Sequence, residues 1–418
     1  MRIVIHRVIS APSIWLWLWL LTVNVAAAAT PISATQPAPP TNETNTAPLL
    51  TGAQQTERYL PLLQGKKVGL LVNQTSLIGE QHLVDVLLAN NVQVTAIFAP
   101  EHGFRGNHDA GATILSGVDE KTGLPVWSMY GESKKPAAEQ LQQLDIIIFD
   151  IQDVGVRYYT YISSMHYMMA AAAEFAIPML VLDRPNPNGA FVDGPVLDVA
   201  FRSFVGMHPI PLLHGMTVGE LALMIKGEGW IAQAEQLALT VIPLANYRRE
   251  QPYELPVPPS PNLPNQQAIK LYPSLGFFEA TPMSVGRGTP FPFQVLGYDK
   301  FALAEFQFTP VSTPGAALRP PLMNKNVYGE DLRHVSSNGL TLSYLMRWHQ
   351  LFNQNAISIF NAPAFMDKLA GTDQLRLQIQ QGLSEAEIQQ SWQPALIQFR
   401  QKRLPYLLYP DYPQQPSG

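Results

Sequence analysis

Three side chains able to do acid–base or anion chemistry occur close together, at Glu101, His102 and Arg105. Two glycines share the same six positions, and the preceding run Ile97–Ala99 is apolar, as a buried strand would be. Proteins with parallel sheets usually place their chemistry where a strand ends. A histidine beside a carboxylate commonly tunes that carboxylate or binds the ligand. This stretch is therefore the candidate catalytic site.

Polar residues also follow the other apolar runs of the first half of the chain. They are Asn73, then Tyr130, then Asp150, Asp153 and Arg157, and then Asp183 and Arg184. The carboxyl ends of parallel strands share one sheet edge, so these groups are predicted to converge with Glu101 on a ligand site. Asp and Asn at strand ends also cap helices and shape turns. For Asn73, Asp145 and Asp183 that structural role is an equal alternative.

Cationic and aromatic residues suggest an anionic, sugar-like ligand. The arginines in loops rich in Gly, Pro or Asn are Arg105, Arg157, Arg184 and Arg287. The planar fork of arginine suits a carboxylate or phosphate. Tyr158 and Tyr161 could form an aromatic wall, or they could pack in the core, since positions i and i+3 share a helix face.

Alternating apolar runs and helical periodicities predict an α/β fold. Strands are predicted at 67–73, 92–99, 124–129, 145–151, 178–182 and 237–243, and helices at 81–90, 135–144, 158–176 and 217–227. Thr217 and Glu220 match a helix N-terminal capping box. Continuous apolar strands between helices favour a parallel sheet covered on both faces. We predict a Rossmann-like domain over 51–245 and a smaller α+β domain over 246–418, which includes short strands between 291 and 308 and helices at 340–352 and 385–403.

The N-terminus resembles an export signal. Residues 1–29 combine Arg2 and Arg7, an apolar core and a run of alanines, which predicts a cleaved signal peptide. An uncleaved anchor is the alternative. Residues 30–50 are rich in Pro, Thr and Ala and predict a flexible linker. We therefore expect secretion, to the periplasm, with no membrane span remaining after cleavage.

Composition and motifs exclude several classes of protein. The 418 residues contain no cysteine, which removes disulfides, thiolate metal sites and a cysteine nucleophile. The net charge of −5 and the lack of a basic run outside the N-terminus argue against nucleic acid binding. No phosphate-binding loop, dinucleotide fingerprint, serine elbow or His-Glu-x-x-His motif is present, so we expect no cofactor and no metal.

Six ordered motifs resemble one known family. They are FAPEHGFRG at 98–106, FDIQDVGVRYYTY at 149–161, LDRPNPNG at 182–189, FVGMHPIPLLHGMTVGE at 204–220, SPNL at 260–263 and SVGRG at 284–288. Together they resemble the exo-β-N-acetylmuramidases of the NamZ type, long known as a domain of unknown function. The resemblance runs from about Thr51 to Tyr412.

This resemblance implies a hydrolase that releases N-acetylmuramic acid from the non-reducing end of peptidoglycan fragments during cell-wall turnover. It implies a cleft between a Rossmann-like domain and a smaller one, and it assigns the catalytic glutamate of the EHG motif to Glu101. Beside it we expect His102 in the catalytic site. Asn262 of the SPNL motif is added to the expected substrate-binding residues.

The group opposite Glu101 is left open by the sequence. Glycoside cleavage needs a proton for the leaving oxygen and a second group at the anomeric carbon. Asp153 or Asp150 could be that base or nucleophile, or the 2-acetamido group of the substrate could attack. The lactyl carboxylate needs a cation, and Arg105, Arg157 and Arg287 are candidates. Two other functions use the same cleft: a non-catalytic periplasmic muropeptide-binding protein, and a hydrolase of another anionic amino sugar.

Overall fold

The structure is a computed structural model that describes residues 47–104, 117–131, 134–301 and 304–411. The predicted signal peptide, most of the predicted linker and Arg105 lie outside the described residues. Within the described ranges, every helix falls short of the length and apolar character that a bilayer crossing requires.

A seven-stranded sheet forms the N-terminal half. Its chain segments are β1 Lys67–Val72, β4 Gln93–Ala99, β5 Gly117–Val118, β6 Pro125–Ser128, β7 Ile146–Asp150, β8 Met179–Leu182 and β9 Leu239–Ile242, and a small hairpin pairs β2 Leu77–Ile78 with β3 Gln81–His82. The spatial order is β5–β6–β4–β1–β7–β8–β9, with only the edge strand β5 antiparallel to its neighbour. When the antiparallel strand β5 is left out, the remaining parallel strands have the spatial order of a doubly wound nucleotide-binding fold.

Helices cover both faces of this sheet. They are α1 Thr56–Leu63, α2 Leu83–Ala89, α3 Ala138–Leu141, α4 Tyr161–Glu174 and α5 Val218–Gly227. One buried cluster packs α1 and α2 against the sheet, and a second, larger cluster contains α4 and α5. Strands β1 and β7 are buried almost throughout, as expected for a sheet sandwiched between helices. The predicted α/β class is confirmed.

The C-terminal part is smaller and mixed. Its three-stranded antiparallel sheet is ordered β10–β12–β11, with β10 Val295–Tyr298, β11 Phe306–Phe308 and β12 Val327–Asp331. Its helices are α6 Gln266–Leu275, α7 Ser343–Gln354, α8 Pro363–Ala370, α9 Gln374–Gln380 and α10 Glu385–Arg403. The predicted α+β domain is confirmed, and the sequence missed β12. The boundary near residue 245 stays a prediction.

Local signals located most elements well. Thr217 and Glu220 form the predicted capping box, with bonds of 3.0 and 3.3 Å between side chain and backbone. Helix α4 begins at Tyr161 rather than at Tyr158, because the three preceding residues form a turn that lines the site described below. Helix α3 is also shorter than predicted.

Candidate active site

A tight turn at the end of β4 presents Glu101. The Gly103 N–H donates to the Pro100 carbonyl at 3.0 Å, closing the turn around Glu101 and His102. His102 has a φ of 69°, a left-handed conformation that costs a residue with a Cβ about 1–2 kcal/mol. Strain of this kind persists where the surrounding structure requires it, and it clusters at functional sites.

Two hydroxyl groups hold the Glu101 carboxylate. Thr160 Oγ1 donates to Glu101 Oε2 at 3.0 Å. Tyr130, which follows β6, also bonds to Glu101 through its side chain. Burial raises the pKa of Tyr130 above its ordinary value, and the charge of Glu101 raises it further. The phenol therefore stays protonated and can donate a hydrogen bond to Glu101.

Glu101 lies in the wall of a pocket of about 800 Å³. This volume is within the usual range for a small-molecule site. The N-terminal half contributes Glu101, His102, Tyr130, Tyr158, Tyr159, Thr160, Tyr161, Phe204 and Val205, and later segments contribute Ser260, Asn262, Leu263, Tyr272, Glu279, Arg287, Phe293, the loop 316–321 and Phe365. Both halves of the chain thus enclose the same space, and aromatic rings form much of its wall.

Several predicted site residues meet in this pocket. His102, Tyr158 and Tyr161 line it together with Asn262 and Arg287. The hydroxyls of Tyr158 and Tyr161 donate to backbone carbonyls. The part of each side chain left to contact a ligand in the pocket is therefore the ring. The binding roles assigned to these five residues stay predictions.

Asn262 and Arg287 each keep one polar atom available. Asn262 Nδ2 donates to the Ala316 carbonyl at 2.9 Å, whereas its Oδ1 is buried and has no hydrogen-bond partner among the described residues. Arg287 Nη1 is likewise buried without an acceptor in the described part of the chain. Polar atoms of this kind are uncommon in folded proteins, and a bound ligand is one way to satisfy them.

Arg157 does not reach the pocket, contrary to the predicted substrate-binding role. Its guanidinium is fully buried and donates to the carbonyls of Pro195, Ile210, Leu369 and Ala370 at 2.6–3.1 Å. Burial lowers its pKa to about 9. Arg157 therefore ties the end of α8 to the N-terminal half.

Asp150 and Arg184 form a buried ion pair beneath the sheet edge, which corrects their predicted role in binding substrate. The guanidinium donates to both carboxylate oxygens of Asp150, at 2.5 and 2.9 Å. Both side chains are at most 4% exposed. Because each is already neutralised by the other, neither is available to a ligand in the pocket.

Asp153 also lies inside the protein rather than in the pocket wall, which argues against its predicted catalytic role. Its Oδ1 accepts from the Gly155 N–H at 2.6 Å, and its Oδ2 is buried with no partner among the described residues. Burial raises the pKa of Asp153 to about 7. Asp183 is structural too, because Thr217, Gly219 and Tyr409 all donate to its carboxylate.

Among the pocket residues that the sequence analysis missed are three with polar or charged side chains, Thr160, Glu279 and Arg319. Thr160 lies inside a motif whose tyrosines drew attention instead. Glu279 lies between the SPNL and SVGRG motifs, and its position between two family motifs is the one feature of the sequence that could have indicated a role in the site. Arg319 belongs to a proline-rich loop without a recognisable pattern. Across the described ranges, no three His, Asp or Glu side chains gather as a metal site would need.

Family models match both halves of the chain. The N-terminal model of the exo-β-N-acetylmuramidase NamZ matches residues 68–267, and the C-terminal model of the same enzyme matches residues 270–409. The chain belongs to the NamZ family. The resemblance stated from the six motifs is therefore confirmed, and the turn that carries Glu101 lies within the N-terminal match.

Individual relatives agree with this assignment. The chain is 40% identical over 376 residues to the peptidoglycan β-N-acetylmuramidase NamZ of Bacillus subtilis strain 168, covering 84% of this chain and 89% of that protein. Two crystal structures of DUF1343 family proteins from Bacteroides fragilis NCTC 9343 have the same fold. One has a TM-score of 0.80 at 45% identity and covers 88% of this chain and all of its own. The other has a TM-score of 0.75 at 29% identity, with 87% and 99% covered.

Proposed function

We propose that this protein is an exo-acting glycoside hydrolase that releases N-acetylmuramic acid from the non-reducing end of peptidoglycan fragments. The observation that carries the proposal is the placement of Glu101 on a strained turn, bonded to Thr160 and Tyr130, in the wall of an aromatic pocket. The similarity to the Bacillus subtilis enzyme gives the substrate class. The exported, periplasmic location predicted from residues 1–29 places the enzyme beside this substrate in cell-wall turnover.

Glu101 acts as the general acid. It transfers its proton to the glycosidic oxygen as the bond from C1 to that oxygen breaks, and a water molecule supplies the new oxygen on C1. The water loses one proton as it reacts, and Glu101 regains a proton by exchange with solvent at the end of the cycle. The hydroxyls of Thr160 and Tyr130 orient the carboxyl group throughout.

The test compares wild type with Glu101→Gln on a chromogenic β-N-acetylmuramide and on a muramic acid-terminated disaccharide. We expect free N-acetylmuramic acid from wild type and a loss of about 10²–10⁴-fold for the variant on the disaccharide. Near-normal activity of Glu101→Gln on the disaccharide would remove this residue from the acid role. Mass spectrometry of wild type incubated with peptidoglycan fragments separates catalysis from binding, because a binding protein would retain the fragments and release no sugar.

A further inference from the structure

The reaction proposed above requires a second group at the anomeric carbon, and the described part of the pocket contains one other carboxylate. Asp150 is paired with Arg184, and Asp153 lies outside the pocket wall. The remaining acidic side chain that lines the pocket is Glu279. It enters from the C-terminal half of the chain, whereas Glu101 enters from the N-terminal half.

The local structure directs Glu279 into the pocket. It lies on a short 3₁₀ helix, Gly276–Ala280, that continues from α6. Phe277 and Phe278 on this helix are fully buried, whereas the Glu279 side chain is 25% exposed. Gly276 permits close packing at this point, because a Cβ here would lie 2.4 Å from the Tyr158 hydroxyl. The helix is therefore fixed against a wall of the pocket.

Arg287 holds one oxygen of this carboxylate and leaves the other available. Its Nε and Nη2 lie 2.8 and 2.6 Å from Glu279 Oε1. Glu279 Oε2 has no hydrogen-bond partner among the described residues. The guanidinium in turn lies 5.0 Å from the centre of the Phe293 ring, which fixes its position. A charged carboxylate held at one oxygen and open at the other is suited to act on water.

Both carboxylates affect the same tyrosine of the pocket. Burial raises the pKa of Tyr272 well above its ordinary value, and the charges of Glu279 and, to a smaller extent, Glu101 raise it further. The charge of Arg287 opposes both effects. Glu101, Tyr272 and Glu279 all line the same pocket, and this shared lining places the two acids around one space.

We propose that Glu279 is the second catalytic carboxylate, with Arg287 as its positioning residue. This inference rests on the proposed function. Glu279 Oε2 takes a proton from water as the water oxygen bonds to C1 on the face opposite the leaving group. At the same time the glycosidic C1–O bond breaks and the proton of Glu101 passes to the leaving oxygen. Each proton and electron pair thus has a named destination.

The test uses Glu279→Gln, which keeps an oxygen for Arg287 to bind but removes the charge, and Glu279→Ala. Glu305→Gln, at an exposed carboxylate away from the pocket, is the control. We expect about 10²–10⁴-fold loss for both Glu279 variants and wild-type activity for the control. A 4-nitrophenyl leaving group needs little protonation, so it should relieve Glu101→Gln strongly and Glu279→Gln very little.

Chemical rescue separates catalysis from a structural effect. Azide should restore turnover to Glu279→Ala and give the α-muramyl azide, because the anion enters on the face vacated by the carboxylate. Near-wild-type activity of Glu279→Gln, the absence of any azide product, or formation of only the β-azide would overturn the inference. The β-azide would in addition identify the acetamido group as the attacking group. A wild-type enzyme that releases no N-acetylmuramic acid would overturn the proposed function instead.

Discussion

Thr160 Oγ1 lies 3.0 Å from Glu101 Oε2 and donates a hydrogen bond to it. Thr160 immediately precedes helix α4, yet its side chain makes no capping bond to that helix. The hydroxyl is therefore free of a role in the helix and is committed to the carboxylate. This contact connects the end of β4 with the start of α4, which follows β7, so that two parts of the sheet edge on either side of β1 together set the orientation of the acid.

Replacing Thr160 by valine should lower kcat with little change in KM. A hydrogen bond to a charged group contributes about 1.5–3 kcal/mol, which corresponds to a loss of roughly 10–150-fold. Thr160→Ser retains the hydroxyl and should recover most of the activity. Steady-state kinetics on the muramic acid-terminated disaccharide provides the measurement. Equal losses in the valine and serine variants would show that the exact packing of the side chain, rather than the hydrogen bond alone, sets the activity, and would contradict the prediction.

Arg319 should contribute to recognition of the lactyl carboxylate. It is exposed at the pocket, and within the described ranges it makes no hydrogen bond or ion pair. Arg287, by contrast, already has Glu279 as its counter-ion. Arg319→Gln should therefore lower kcat/KM for a muramide by about 5-fold, the scale of one exposed charge contact near 1 kcal/mol. Activity on the matching glucosaminide, which lacks the carboxylate, is the control, and equal losses on both would contradict the prediction.

The sequence predicted the fold class and most strands and helices of the N-terminal half of this protein. Strand runs such as 146–149 are continuously apolar because both sheet faces are covered, and this signal is local. The EHG turn was also recognisable, because glycines and reactive groups are crowded together at a strand end. Alternation of strands and helices was enough to indicate the parallel sheet and its carboxyl edge.

The partners of the site residues could not be read from local signals. Arg157 and Arg184 resemble ligand-binding arginines in sequence, yet carbonyl groups or a carboxylate from distant segments satisfy them. Glu279 is the opposite case. Its immediate sequence neighbours do not suggest a functional role, yet folding brings it to the pocket that contains Glu101. Contacts between distant segments determine whether a charged side chain is neutralised inside the protein or faces a ligand. The spacing of residues in the sequence does not reveal these contacts.

Asp153→Asn should change how stability depends on pH. In the unfolded chain an aspartate has a pKa of about 3.9, whereas burial raises the pKa of Asp153 to about 7 in the folded protein. Between these values the folded protein holds a proton that the unfolded chain has lost, so wild-type stability falls as the pH rises from about 4 to about 7. The asparagine variant lacks this contribution and keeps an oxygen for the Gly155 N–H.

The Tm of Asp153→Asn relative to wild type should therefore increase between pH 5 and pH 8. Each unit of pKa shift is worth about 1.4 kcal/mol. The free energy of unfolding of the variant relative to wild type should therefore increase by an amount on the order of 2–4 kcal/mol between the two pH values. Thermal unfolding followed by circular dichroism at both pH values measures the difference. Asp198→Asn, at an exposed carboxylate, controls for the loss of an acidic residue. A difference that does not vary with pH would contradict the assigned cause.

Tyr409→Phe should destabilise the protein without altering the pocket. The Tyr409 hydroxyl donates to Asp183 Oδ2 at 2.5 Å and accepts from the Leu244 N–H at 2.8 Å, so it joins the C-terminal tail to the sheet. Its removal leaves two buried polar groups short of a partner, at a cost of about 1–3 kcal/mol.

Chemical denaturation should show this loss for Tyr409→Phe and a change within about 0.5 kcal/mol for Tyr406→Phe, the matched control on the same tail. The Tyr406 hydroxyl bonds Glu228 at 2.9 Å, in a more exposed position. Because Tyr409 lies outside the pocket wall, kcat per folded molecule should match wild type in both variants. Equal stability losses in the two variants would show that the buried bond to Asp183 contributes no more than the more exposed bond to Glu228, and would contradict the prediction.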